Sequence, residues 1–141
     1  MKTNSVIISV ICVLMDMPLI AFADCFYSLS PSSASYPGGG TNATFDVINS
    51  GGCGWRADYS VGWLSADLTW HIGSATVIYN VQQNDTGNSR TGTITAGDQT
   101  FTVNQTACTY SLSSSSASYP GGGTNATFDE TNSGGCGWRA D

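Results

Sequence analysis

The chain has 141 residues, enough for one domain or one and a fraction, and carries ten acidic against four basic side chains for a net charge of −6. Only 10% of it is charged, and Ser, Thr, Asn and Gly dominate the polar part. So acidic a chain lacks the basic stripe that a phosphate backbone requires, which argues against nucleic acid as a partner. A neutral surface of this kind fits carbohydrate or a neutral protein face better than a polyanion.

Met1 to Thr3 supply a basic start, Ser5 to Met15 an apolar run, and Ala21, Phe22 and Ala23 a small-residue exit. That is the three-part pattern of a secretory signal peptide over residues 1–23, cleaved after Ala23. A buried N-terminal helix is the alternative. Asp16 interrupts a run that is already well short of the ~20 residues a spanning helix needs, so no membrane insertion is expected after cleavage. Asp24 stands where a lipoprotein reading of Cys25 would want a small residue. The expected location is outside the cell or at its surface. Cleavage removes Lys2 and Asp16, leaving Arg56, Arg90 and Arg139 as the cations against nine carboxylates.

From Cys25 onward the hydrophobic period is two. Tyr27 and Leu29 alternate with serines; Phe45 and Val47 alternate with Thr44, Asp46 and Ile48; Val77, Tyr79 and Val81 alternate with Ile78, Asn80 and Gln82. Residues 93–103 read as a hairpin, two β-branched runs around Gly97 and Asp98, a pair suited to a tight turn. Glycine-rich segments at 37–40, 50–52 and 84–88 punctuate the remaining runs. The spacing predicts an all-β sandwich of about seven short strands over 24–107 and no helix in the mature chain.

Residues 108–141 repeat residues 25–58 with a constant offset, 108 − 25 = 136 − 53 = 83. Over these 34 positions only Phe26/Thr109, Pro31/Ser114, Val47/Glu130 and Ile48/Thr131 differ. This is a tandem duplication whose second copy supplies the first strands only. Loss of Cys12 with the signal peptide leaves four cysteines and three possible pairings. The repeat selects Cys25–Cys53 with Cys108–Cys136. A zinc site is the rival reading, but no Cys-x-x-Cys spacing occurs and His71 is the one histidine, so no metal and no cofactor is expected.

The segments Cys25-x-Tyr27 to Pro31, Gly38 to Gly40, Phe45-x-Val47, Cys53-x-Trp55-x-Ala57, Trp63-Leu64, Ala75 to Val81, Arg90 to Ile94 and Phe101 to Gln105 together resemble the BACON domain. The resemblance spans the whole first unit and resumes over 108–141. It implies an immunoglobulin-like β-sandwich of secreted bacterial proteins, accompanying glycoside hydrolases, proteases and cell-surface proteins. Carbohydrate or mucin binding is the function it implies, with a passive spacer as the alternative. The chain departs from the family pattern at Asp67 to Ile72, where relatives carry a Gly/Ser-rich turn.

No catalytic set is evident: His71 has no Ser or Asp in a nucleophile context around it, and the acids sit beside turns or on the polar phase of strands, so the expectation is no enzyme. Trp55 is expected to pack on the disulfide, and Trp63 to plug the same core. Trp70 and His71, in the divergent segment, are the ligand-binding candidates, because loops on a rigid sandwich carry binding residues. Asn42, Asn84, Asn104 and Asn125 fit the glycosylation sequon. Residues 108–141 are too few to fold alone. The expectation is a monomer whose tail beyond Ala107 is mobile and tied internally by Cys108–Cys136 at most. The alternative is a filament subunit assembled head to tail by strand exchange through the partial repeat.

Overall fold

The computed structural model describes residues 24–139; the signal peptide expected over residues 1–23 lies outside them. The described chain is all-β, with two disulfides and twelve strands. These are β1 (Phe26–Ser30), β2 (Ser33–Tyr36), β3 (Thr41–Ser50), β4 (Gly54–Trp55), β5 (Ala57–Tyr59), β6 (Leu64–Ala66), β7 (His71–Ile72), β8 (Ala75–Val81), β9 (Arg90–Ala96), β10 (Gln99–Gln105), β11 (Tyr110–Leu112) and β12 (Glu130–Asn132).

Eight of them build two four-stranded sheets, in the orders β1-β3-β8-β6 and β2-β10-β9-β5. The first sheet is antiparallel throughout. In the second, β2 runs parallel to β10 while the other neighbours are antiparallel. Over 24–107 the ten strands exceed the seven or so expected, because two runs are split and the divergent segment adds β7. The first breaks at Pro31, after the cis Ser30–Pro31 bond, and its two halves join different sheets. The second breaks at Arg56, so that β4 and β5 take different partners.

The alternation in the sequence now has its cause. In β3 the burial pattern ieieBeBeie puts Phe45 and Val47 inside; β8 buries Val77, Tyr79 and Val81; β9 and β10 bury Ile94, Ala96, Phe101 and Val103. Side chains two apart share a face, so each strand offers one apolar face to the space between the sheets. Phe45 of one sheet stacks on Phe101 of the other at 4.3 Å between centroids, and Tyr79 meets Phe101 edge to face at 5.3 Å. Burial pushes the Tyr79 phenol up, helped by its hydroxyl bond to Tyr36. At the β9–β10 hairpin, Gly97 has φ +62 and a Cβ there would lie 2.8 Å from the Tyr27 ring, so both conformation and close approach require glycine.

The disulfides are Cys25–Cys53 and Cys108–Cys136, the pairing the repeat selects. In the second copy β11 and β12 reproduce the register of β1 and β3: Leu112 faces Glu130 as Leu29 faces Val47. Its tail is held by more than its own disulfide, contrary to expectation. The Gly39 amide donates to Gly134 O (3.1 Å) and the Cys108 amide to Asn84 O (2.8 Å). Gln83 exchanges two bonds with the Gly137 backbone, and the Tyr110 hydroxyl donates to Asp85 at 3.0 Å. Six of the ten groups in these five bonds are backbone groups, which leave no side-chain signature in the sequence.

Candidate functional site

The divergent segment Asp67 to Ile72 is built as a turn followed by β7. Asp67 accepts from the amide and hydroxyl of Thr69, and these bonds hold its carboxyl below the usual carboxylate range. The Asp67 amide in turn donates to Ile78 O. β7 then pairs with β4, setting His71 opposite Trp55 and Ile72 opposite Gly54. Strand alternation sends those two pairs to opposite faces of the ribbon.

On the inner face, Trp55 is 2% exposed and stacks on the His71 ring at 4.8 Å. Its indole N–H donates to Gly73 O at 2.7 Å. Trp55 therefore packs against His71, whose Nε2 is enclosed without a hydrogen-bond partner. His71 is half-buried and turned toward Trp55, not paired with Trp70 on the outer face. On the outer face, Trp70 is 63% exposed and lies against the Gly54 backbone; a Cβ at Gly54 would sit 2.5 Å from Trp70 Cζ2. One side of the indole is seated on main chain and the other faces outward. Ile72, two residues on, is also exposed.

A second apolar pair stands on the outer face of the first sheet. Phe26 and Ile48 are both exposed. Phe26 faces Ser50 and Ser28 faces Ile48, so the two apolar side chains are diagonal neighbours, about 7 Å apart at Cβ. Around them stand Ser28, Ser50, Ser74 and Thr76, with Asp46 accepting from the Thr76 hydroxyl at 2.6 Å. Ser74 is fixed by bonds to the Asn49 backbone on both its donor and acceptor sides. In the second copy the same two positions hold Thr109 and Thr131, which removes the apolar pair.

Trp63 is half-buried against the core, and the Arg90 guanidinium sits 4.3 Å over its ring. Arg90 also donates to Gln82 O, Gln83 O and Gln105 Oε1. The sequence marked Arg90 as one of three cations and as part of the BACON-like pattern; its role as a clamp depends on partners from separate segments. Leu64, beside Trp63, is 1% exposed and fully in the core. Among the described residues no group of three or more His, Cys, Asp or Glu could hold a metal ion, and no helix is long and apolar enough to cross a membrane.

No family model and no curated protein matches the chain. Among solved structures it is similar to a Bacteroides ovatus GH5 xyloglucanase in complex with a XXXG heptasaccharide, at 22% identity and a TM-score of 0.52. That match covers 60% of this chain and 19% of the xyloglucanase. A second similarity, to WR4, a C. elegans MSP family member, has 11% identity and a TM-score of 0.43 over 57% of this chain and 96% of that one. The first likeness bears on fold alone.

A recess of about 610 Å³ opens between the first unit and the second copy. It is lined by Tyr110, Leu112, Phe128 and Trp138, the counterparts of Tyr27, Leu29, Phe45 and Trp55, so it is the uncovered inner face of a second core. Glu130 projects there in place of Val47, with both carboxylate oxygens enclosed and unpartnered.

The four sequons separate cleanly. Asn84 is fully buried, its amide bonded to Asn88 O and Thr106 O, whereas Asn42, Asn104 and Asn125 are exposed. Expressed in a host that N-glycosylates, the folded protein is expected to carry glycan at some or all of the three exposed sites and none at Asn84. Mass spectrometry showing an occupied Asn84 in folded protein would contradict this packing.

Proposed function

We propose that residues 24–107 form an exported, non-catalytic, immunoglobulin-like sandwich module of a tandem-repeat extracellular protein, and that it binds neutral glycan through Trp70. The observation that carries this reading is the Trp70 indole, 63% exposed yet seated on the Gly54 backbone. A plate fixed on one side loses little conformational freedom when a sugar ring stacks on the other. Serine and threonine hydroxyls on the outer face of the first sheet offer hydrogen bonds without charge. Nine carboxylates against three arginines disfavour polyanionic ligands.

Three further points support the reading. The BACON resemblance implies a module that accompanies glycoside hydrolases. The xyloglucanase is described with a bound heptasaccharide, and the similar region is a fifth or less of its length. His71, enclosed against Trp55, is badly placed to act as a base on an external substrate. The two disulfides suit an oxidising compartment, as export through residues 1–23 would provide. Strand exchange into a filament is the less favoured reading, because it would put Glu130 at the 1%-exposed position of Val47 and bury a carboxylate without a partner.

Residues 24–141 screened on a neutral glycan array, then titrated calorimetrically beside Trp70→Ala, test the proposal. The expected result is binding that weakens by about tenfold or more in the variant, equivalent to about 1.4 kcal/mol. Unchanged affinity would remove Trp70 from the site, and silence on every glycan would leave the spacer role.

A further inference from the structure

The docked second copy shows what one end of the module is built to receive. We infer that the end formed by Pro37 to Gly40 and Gln83 to Asp85 is a receptor for the disulfide-bearing head of a following repeat, so that consecutive repeats lock together rather than swing on a linker. The occupant on this end is residues 108–139 of the same chain, and their contacts are specific. Gly39 N–H reaches Gly134 O at 3.1 Å, Cys108 N–H reaches Asn84 O at 2.8 Å, and Gly137 N–H reaches Gln83 Oε1 at 2.9 Å. Gln83 Nε2 returns a bond to Gly137 O at 3.1 Å. Cys108 and Cys136 are 6% and 4% exposed, whereas Cys25 at the free head of the first unit is exposed.

The head residues that make these contacts are Cys108, Tyr110, Gly134 and Gly137. Each recurs in the first copy, as Cys25, Tyr27, Gly51 and Gly54, and none is among the four positions at which the copies differ. The head is thus a property of the repeat pattern. On the receptor side, the backbone approach is too close for any side chain. A Cβ at Gly38 would stand 2.5 Å from Cys108 N, and one at Gly39 2.4 Å from Gly134 O. The second copy carries the same loop as Pro120 to Gly123, where a Cβ at Gly121 or Gly122 meets nothing within 4 Å. The linker between unit and head is short, so the high local concentration of the tethered head lets a small set of bonds hold it. This inference does not depend on whether Trp70 binds a ligand.

Gly39→Ala in the mature chain is the test, with Gly122→Ala as its control. Gly39 is not at positive φ, so alanine there is strained only by the seated head. Hydrogen exchange should show the Cys108 and Gly137 amides losing about tenfold or more of their protection in Gly39→Ala. Small-angle scattering should show a larger radius of gyration. Gly122→Ala should match the parent in both. Should Gly39→Ala lose its near-ultraviolet circular dichroism, Gln83→Ala replaces it and is expected to deprotect Gly137. Equal protection in the parent, the Gly122→Ala control and a folded receptor variant would overturn the inference, as would a parent whose Cys108 and Gly137 amides exchange at the free-peptide rate.

Discussion

Replacing Cys25 and Cys53 together with serine is expected to lower the stability of the first unit by about 3–4 kcal/mol. The bond closes a loop of sequence separation 28 and joins the start of β1 to the turn before β4. A module of this size buries only about 60–65% of its unfolded surface, so its margin is small. For such a domain each kcal/mol moves Tm by about 4–8 °C, and the expected fall is about 12–30 °C. The Cys108/Cys136 pair provides an internal comparison, since its separation is also 28. The twelve residues of the core cluster all lie between Phe45 and Val103, on the first unit. Removing the second disulfide should therefore loosen the docked head and leave the main transition within about 0.5 kcal/mol. Calorimetric melting of both double variants checks this. Equal losses in the two, or less than about 1 kcal/mol for Cys25→Ser/Cys53→Ser, would refute the assignment of the first bond as the staple.

The parts of this fold that could be read from the sequence are those set by local periodicity. Phe45 and Val47, the Val77, Tyr79 and Val81 series, and the turn at Gly97 and Asp98 follow from alternation and turn chemistry within a few residues of each other. The disulfides followed from comparing two copies. What stayed hidden depends on partners far along the chain. β2 contains Ser33, Ala34, Ser35 and Tyr36, with no β-branched residue, and is a strand because β10 pairs with it in parallel. His71 and Trp70 read alike in a presumed loop. The pairing of β7 with β4 turns one inward onto Trp55 and leaves the other out on Gly54. The receptor for the tail joins backbone groups of Gly39 and Asn84 to the side chains of Gln83 and Asp85, which come together only in the fold.

Gln105→Leu is expected to cost about 1–3 kcal/mol, although leucine is close to it in volume and apolar. Gln105 ends β10 and is 1% exposed. Its Oε1 accepts from Arg90 Nε at 2.9 Å. Its Nε2 lies within reach of three carbonyls, Gln82 O at 3.0 Å and Pro37 O and Gly38 O at 3.2 Å each. Two amide protons thus serve three acceptors, one of them shared. Gly38 O would keep the Asn84 amide and Gln82 O would keep Arg90, but leucine would leave Pro37 O without its donor, at about 1–3 kcal/mol for a group left unsatisfied. Arg90 would lose a bond but retain Gln82 O, Gln83 O and the face of Trp63, which limits the charged part of the loss. Gln105→Glu separates the two halves of the network. Glutamate keeps the acceptor for Arg90 but sets a carboxylate against three carbonyl oxygens, so it should be at least as destabilising as leucine at neutral pH. Because Gln105 holds Pro37 and Gly38 on the receptor loop, both substitutions should also deprotect the Cys108 amide beyond what the lower global stability explains. Urea unfolding at pH 7 measures the first effect and amide exchange the second. A change in stability below about 0.5 kcal/mol for Gln105→Leu would show that water, not Gln105, satisfies the Pro37 carbonyl.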